Sequence, residues 1–219
     1  MRILEPTTRF ALLATLLAIA TVLSPRTSAY TTSSRGWPSS AVNYFVNASN
    51  LDLSAPAAEA AVRLGADAWA AQSRARFRFD FAGASAQTTN TNDGVNLVVF
   101  RNASNGSAIA TTYWWSNSSG IIDADIVFWD AGFRFFAGST GCSSGFYIED
   151  IATHEFGHAL GLGHSTSPGA TMYPSTSSCN VSNRTLDADD IAGVQALYPP
   201  QATPPSPPTG LRTLTSGSH

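Results

Sequence analysis

The residues best suited to chemistry stand in one short run, His154-Glu155-Phe156-Gly157-His158. The two histidines are four positions apart, so on a helix their side chains lie on one face, about 6 Å apart along the axis. Both imidazoles can then bind one tetrahedral Zn²⁺. Glu155 directly follows the first histidine, so its carboxylate can approach a metal-bound water without binding the metal. A carboxylate in that position is suited to act as a general base.

A third histidine extends the run, because Gly161 and His164 complete the pattern H-E-x-x-H-x-x-G-x-x-H. A straight helix could not bring His164 back to the same metal, but Gly161 can adopt a positive φ and end the helix sharply. Three protein ligands leave a fourth position open for water, which is the arrangement of a catalytic site. Helical histidines are often only polar surface, yet three of the four histidines in the chain fall in this one motif.

The extended motif resembles that of the metzincin metallopeptidases, and most closely the matrixin branch, in a bacterial type without a cysteine-switch prodomain. Ser165 follows the third histidine as in matrixins, Met172-Tyr173-Pro174 matches their Met-turn, and residues 186–198 are similar to their last helix. The resemblance implies that Met172 forms a hydrophobic floor beneath the zinc. An ordinary core methionine is the alternative interpretation, and both can hold.

The resemblance implies a zinc-dependent endopeptidase that acts on protein or peptide substrates bound in extended form, with Glu155 activating the zinc-bound water. A non-catalytic, zinc-dependent peptide-binding module is the alternative function, but it would have no need of Glu155. The second, structural zinc of some matrixins needs three further histidines, and only His219 remains here. We therefore expect one catalytic zinc per chain, bound by His154, His158 and His164.

Calcium sites are a further implication of the resemblance. Asp93, Asp123, Asp125 and Asp130 offer oxygen ligands of the kind that calcium prefers. Ordinary carboxylates of turns and strand ends are an equally good interpretation of these four residues. The two cysteines, Cys142 and Cys179, are expected to form a disulfide if the protein is exported. Zinc ligation by the cysteines is the weaker alternative, because neither lies in a C-x-x-C pair.

Periodicity and the resemblance together predict an α+β zincin fold, in which a twisted, mixed, five-stranded sheet with an antiparallel edge strand packs against helices. The three predicted helices are Ser54 to Ser73, Tyr147 to Gly161 and Asp187 to Tyr198. The predicted strands are Val42–Val46, Phe77–Phe81, Val95–Phe100, Ile109–Trp115 and Ile121–Trp129. The near-continuous apolar run from Val95 predicts a central strand. We expect extended substrate to add to the edge strand, for which Ile121–Trp129 is our candidate.

The chain is predicted to have three parts: a signal peptide (1–29), a matrixin-like catalytic domain (30–198) and a Pro-rich, disordered tail (199–219). The signal peptide predicts a secreted protein without a membrane anchor. The net charge of −3 and the absence of a basic patch argue against nucleic-acid binding, and we expect a monomer.

The short stretch from Tyr30 to Gly36 has neither a cysteine nor a carboxylate, so we expect no need for proteolytic activation. In related matrixins the mature amino group pairs with an aspartate of the last helix. Asp189 and Asp190 are the candidates here.

Overall fold

The computed structural model describes residues 29–33 and 35–200. The predicted signal peptide up to Ser28 and the predicted tail from residue 201 lie outside this part of the chain, and both stay predictions. The described residues form three α-helices, two sheets and a short 3₁₀ helix (Ser182–Arg184). The helices are α1 (Ala55–Ser73), α2 (Ile148–Leu160) and α3 (Ala188–Leu197). The strands are β1 (Ala41–Asn47), β2 (Arg78–Ala84), β3 (Leu97–Arg101), β4 (Ala110–Asn117), β5 (Gly120–Trp129), β6 (Phe135–Phe136) and β7 (Phe146–Tyr147).

The main sheet has the strand order β2-β1-β3-β5-β4. Neighbouring strands are parallel except for β4, which runs antiparallel to β5 along one edge. β3 lies in the middle, as its apolar run predicts. The predicted α+β class, with a mixed five-stranded sheet and three helices, is therefore confirmed for the described residues. The small parallel β6–β7 sheet was not predicted, because two-residue strands show no periodicity.

The prediction that Ile121–Trp129 is the edge strand is wrong. This stretch forms most of β5, which lies between β3 and β4, and the antiparallel edge strand is β4. The physical reason is burial: β5 is buried at every position but one, as a strand covered on both faces must be. β4 ends in exposed residues and has no partner on its outer side among the described strands.

The helices pack on one face of the sheet and form the main core. Val46, Val98 and Phe128 from the sheet contact the same cluster as Trp69 of α1 and Phe156 of α2. A smaller apolar cluster on alternate positions of β3 and β5 covers the opposite face. The last helix begins at Asp187, whose side chain caps it in a capping box with Asp190, as predicted for its start.

The depth of α2 in the fold is set by a close approach to α1 at Gly65. A Cβ atom at Gly65 would lie 2.6 Å from the Cβ of Ala152 and 2.7 Å from the backbone nitrogen of Thr153. One turn along α1, the indole N–H of Trp69 donates to the carbonyl of Thr153 at 2.8 Å. Because Thr153 immediately precedes His154, these contacts position the helix that carries the motif.

We predict that Gly65→Ala lowers the free energy of unfolding. Alanine is the better helix former by about 1 kcal/mol. Its methyl group, however, would overlap the α2 backbone, and overpacking of this kind costs about 1–3 kcal/mol. Urea unfolding of both forms gives the comparison. Leu64→Ala, one residue away at a side chain that is 54% exposed, is the matched control and should change stability little. A Gly65→Ala protein as stable as the parent would contradict the close packing.

Candidate metal centre and active site

The motif residues His154, Glu155 and His158 lie on α2, and the helix ends where the sequence predicts. Gly161 has a φ of 101°, and its N–H donates to the carbonyl of His158 at 2.9 Å. The chain then turns back and brings His164 beside the helix. Ligand atoms of the three histidines all lie within 4.8 Å of one another, and the Nε2 atoms of His158 and His164 are 3.2 Å apart.

This arrangement fits a zinc ion. Tetrahedral zinc with bonds of about 2.0–2.1 Å needs nitrogens roughly 3.3–3.4 Å apart, close to the spacing of His158 and His164. The Nδ1 atoms of His154 and His158 lie 2.7 and 2.8 Å from the carbonyls of Thr171 and Leu162. A proton shared with each carbonyl leaves Nε2 free to bind metal. Burial lowers the pKa of both histidines to about 4, so both are neutral at pH 7, as metal binding requires.

The loop with the third histidine is held by the segment 29–33. The N–H of Gly163 donates to the carbonyl of Thr31 at 2.8 Å, and the Thr31 hydroxyl donates to the carbonyl of His164 at 3.1 Å. Further along, the N–H of Ala29 donates to Asp189 of α3 at 2.9 Å. Asp189, one of the two candidate aspartates, therefore contacts this segment through the peptide N–H of Ala29, the last residue of the predicted signal peptide. Pairing of an aspartate with the amino group of Tyr30 stays a prediction.

Met172 lies beneath the histidines and is only 1% exposed. Its sulfur lies beside Gly157, where the Cβ of any larger residue at position 157 would overlap it. The backbone N–H groups of Thr171 and Met172 donate to the buried carboxylate of Asp190 at 2.7 and 3.0 Å. The Met-turn is thus fixed from below by α3 and in turn supports His154 through the carbonyl of Thr171.

Glu155 is buried, and the hydroxyl of Thr112 on β4 donates to its Oε2 at 2.6 Å. Burial raises the pKa of Glu155, whereas the electrostatic interaction with His158 and the Thr112 hydrogen bond oppose that rise. Sequence reasoning missed Thr112. The sequence signal that could have found it is the alternation of side chains along β4, which puts Thr112 on the same side of the strand as Ala110 and Trp114. All three line the cleft.

A cleft of about 620 Å³ opens above these residues. One side is β4 with the loop before it, and the other is formed by residues 173–176 with Asn183. The apolar side chains that line it include Phe133, Phe146 and Ile151. His154, Glu155, His158 and His164 also line the cleft, so an extended peptide lying in it would pass the metal centre.

The structure joins Cys142 and Cys179 in a disulfide with a Cα–Cα distance of 5.6 Å, so neither is available as a zinc ligand. The four aspartates considered for calcium are used as hydrogen-bond acceptors. Asp123 and Asp125 accept the N–H groups of Asp93 and Thr91 in the loop before β3. Asp93 accepts the N–H of Val95 in the same loop, and Asp130 accepts that of Leu51. Within the described part of the chain, only the histidines form a group of three close metal-binding side chains. Calcium stays a prediction.

Comparison with known proteins settles the family. The sequence profile of the matrixin family matches residues 36–199. The chain belongs to the matrixin family. Three curated relatives are neutrophil collagenase and matrix metalloproteinase-20 of Homo sapiens and interstitial collagenase of Bos taurus. They are 47%, 51% and 55% identical over 74, 59 and 58 residues, which cover 32%, 27% and 26% of this chain.

Those segments cover only 16%, 12% and 12% of the relatives' own lengths, so the chain spans a small part of each. Membership of the matrixin family indicates a zinc metalloendopeptidase, as the motif predicts. None of the helices described for this matrixin has the length and hydropathy needed to cross a bilayer.

We predict that the purified matrixin holds one zinc per chain, measured by elemental analysis after gel filtration. His158→Ala should lose it, because two imidazoles alone bind zinc too weakly to retain it through purification. His219→Ala is the matched control and should keep its zinc. Two tightly held zinc ions per chain would contradict a single site.

Proposed function

We propose that this matrixin is a secreted, zinc-dependent endopeptidase that hydrolyses peptide bonds of extracellular proteins or peptides. The observation that carries the proposal is three convergent histidines beside a buried carboxylate at the base of a peptide-sized cleft. The zinc ligands would be His154, His158 and His164, within a catalytic domain of residues 30–198. Secretion rests on the predicted signal peptide.

Substrate would bind along β4. This strand forms one side of the cleft, and its outer edge has no partner among the described strands. An extended peptide can pair with such an edge through backbone hydrogen bonds, as in other cases of strand addition. Its side chains would then alternate between the cleft and solvent. We propose a monomer acting on extended protein or peptide segments.

Glu155 is suited to move the proton. When bound, Zn²⁺ would supply acidification of a water and polarisation of the scissile carbonyl. The Thr112 hydroxyl holds one carboxylate oxygen of Glu155, which leaves the other free to accept a proton from water. Burial makes the carboxylate a stronger base than an exposed glutamate, since its pKa is raised. Glu155 would then give the proton to the leaving amine.

The alternative, a non-catalytic peptide-binding module, is not favoured. Binding alone would not require a buried carboxylate, which is costly to desolvate, between two metal-binding histidines. Two relatives are named collagenases. The proposal is for extended protein or peptide segments in general and does not name collagen as the substrate.

We predict that Glu155→Gln keeps its zinc but loses turnover of a fluorogenic peptide by about 10²–10⁴-fold, the usual effect of removing a general base. Glutamine has nearly the same shape but cannot accept the proton. Glu59→Gln, at the partly exposed Arg63–Glu59 ion pair of α1, is the control and should remain active. Near-normal turnover in Glu155→Gln would exclude this role.

A second prediction concerns pH. Thr112→Val keeps the shape of the side chain but removes the hydrogen bond that lowers the pKa of Glu155. The pKa of Glu155 should therefore rise, and the acidic limb of kcat/KM should move to higher pH. Profiles of both proteins, each checked for zinc content, would show this. An unchanged acidic limb would mean that Glu155 is not the group that titrates there.

A further inference from the structure

The side of the cleft opposite β4 is a loop, which we call the cleft wall and define as residues 173–183. It starts directly after Met172 and ends in the short 3₁₀ helix. Tyr173, Pro174, Ser175, Thr176 and Asn183 line the cleft from this wall. Apart from the start of that 3₁₀ helix the loop has no regular structure, so it needs contacts elsewhere to keep one shape.

Arg184, the residue after the cleft wall, makes a partly buried ionic cluster at the start of α2. Its Nε lies 2.5 Å from Asp150 and its NH1 lies 2.9 Å from Glu149. Its NH2 donates to the carbonyl of Gly138 at 2.8 Å. The Arg184 side chain is 15% exposed, against 61% for the arginine of the surface pair Arg78–Asp80. Solvent therefore screens the Arg184 pairs much less.

The cluster reaches the cleft through Asn183. The other oxygen of Asp150 accepts the N–H of Asn183 at 3.1 Å, and the Thr171 hydroxyl donates to the carbonyl of Asn183 at 3.1 Å. Within the wall, the amide of Asn180 donates to Thr176 at 3.0 Å and to Asn183 at 3.1 Å. Thr176 and Asn183, both lining the cleft, are thereby linked to each other and to the ionic cluster.

The disulfide holds the outer part of the same wall. Cys179 is bonded to Cys142, and the N–H of Cys179 donates to the carbonyl of Gly145 at 2.9 Å. Gly145 directly precedes Phe146, which lines the cleft. Two separate attachments thus hold the cleft wall: the ionic one joins it to the first turn of α2, and the covalent one joins it to the segment that leads into α2.

We propose that Arg184 is a positioning residue for substrate selection: with the Cys142–Cys179 bridge, it sets the width of the cleft between β4 and the cleft wall. Arg184 touches neither the metal ligands nor Glu155, and it acts through Asn183. The inference rests on the proposed function, since it concerns the choice of substrate at that site. The cleft wall itself has no charged side chain, and Arg184, Glu149 and Asp150 do not line the cleft. The fit of an apolar side chain therefore decides selection.

The test measures binding as well as turnover. Two peptide hydroxamates, alike except for an alanine or a phenylalanine side chain next to the zinc-binding group, are titrated into zinc-loaded protein by calorimetry. The variants are Arg184→Lys, the double variant Arg184→Gln with Asp150→Asn, and the double variant Cys142→Ser with Cys179→Ser. The paired change avoids leaving a buried, uncompensated Asp150 carboxylate. Arg78→Gln, at the exposed pair, is the control.

We expect the parent to bind the phenylalanine ligand more tightly than the alanine ligand. In the double variants the ratio of the two dissociation constants should fall by about tenfold, a usual scale for a changed fit in an apolar pocket. Zinc content should not change. Arg184→Lys should fall between, because an ammonium cannot replace the fork of bonds to Glu149, Asp150 and Gly138. The control should keep the parental ratio.

A ratio within about twofold of the parent in the folded, zinc-loaded double variants would overturn the proposal, since uncoupled sites differ by no more than that. A parent that binds both ligands equally would overturn it as well. If the parent prefers one hydroxamate and the double variants lose that preference, but the parent cleaves no peptide in a zinc-dependent manner, the proposed function fails while the positioning role of Arg184 in ligand binding stands.

Discussion

The buried carboxylate of Asp190 is the contact on which the metal centre depends. It accepts three backbone N–H groups, from Thr171, Met172 and Asp187, at 2.7, 3.0 and 2.8 Å. One side chain therefore caps α3 and fixes the Met-turn. Without it, three buried donors would be unsatisfied, at a cost of about 1–3 kcal/mol each. Since the carbonyl of Thr171 orients His154, the direction of one zinc ligand is set from α3.

The second constraint is the absence of side chains where elements approach closely. Gly65 lets α1 approach α2, and Gly157 leaves room for Met172 between the two metal-binding histidines of the helix. These contacts fix the height of α2 relative to the sheet. That height decides whether Thr112 of β4 reaches Glu155. Helix packing far from the cleft thus controls a hydrogen bond of 2.6 Å at the reacting carboxylate.

The features that could be predicted from the sequence are those whose residues lie close together along the chain. The histidine motif, the helix end at Gly161 and the start of the last helix at Asp187 are encoded in contiguous residues, so spacing and residue type were enough to predict them. The order of β4 and β5 in the sheet is not encoded locally. A hairpin in the sequence predicts that two strands pair, but it does not predict which of them pairs with β3. Thr112 and Arg184 escaped notice because their partners lie 43 and 34 residues away. Hydroxyl and guanidinium groups have many ordinary uses, and only the fold shows which one applies.

The bond between Cys142 and Cys179 closes a ring of chain that contains the histidines, Glu155 and Met172. A backbone cut anywhere inside this ring leaves the two fragments covalently joined. Fragments that stay tethered meet at a high effective concentration and reassemble far more readily than free ones. A peptidase that nicks its own exposed loop between residues 142 and 179 would therefore remain one molecule with its ligand set held together. Self-cleavage there would not by itself be a route to inactivation.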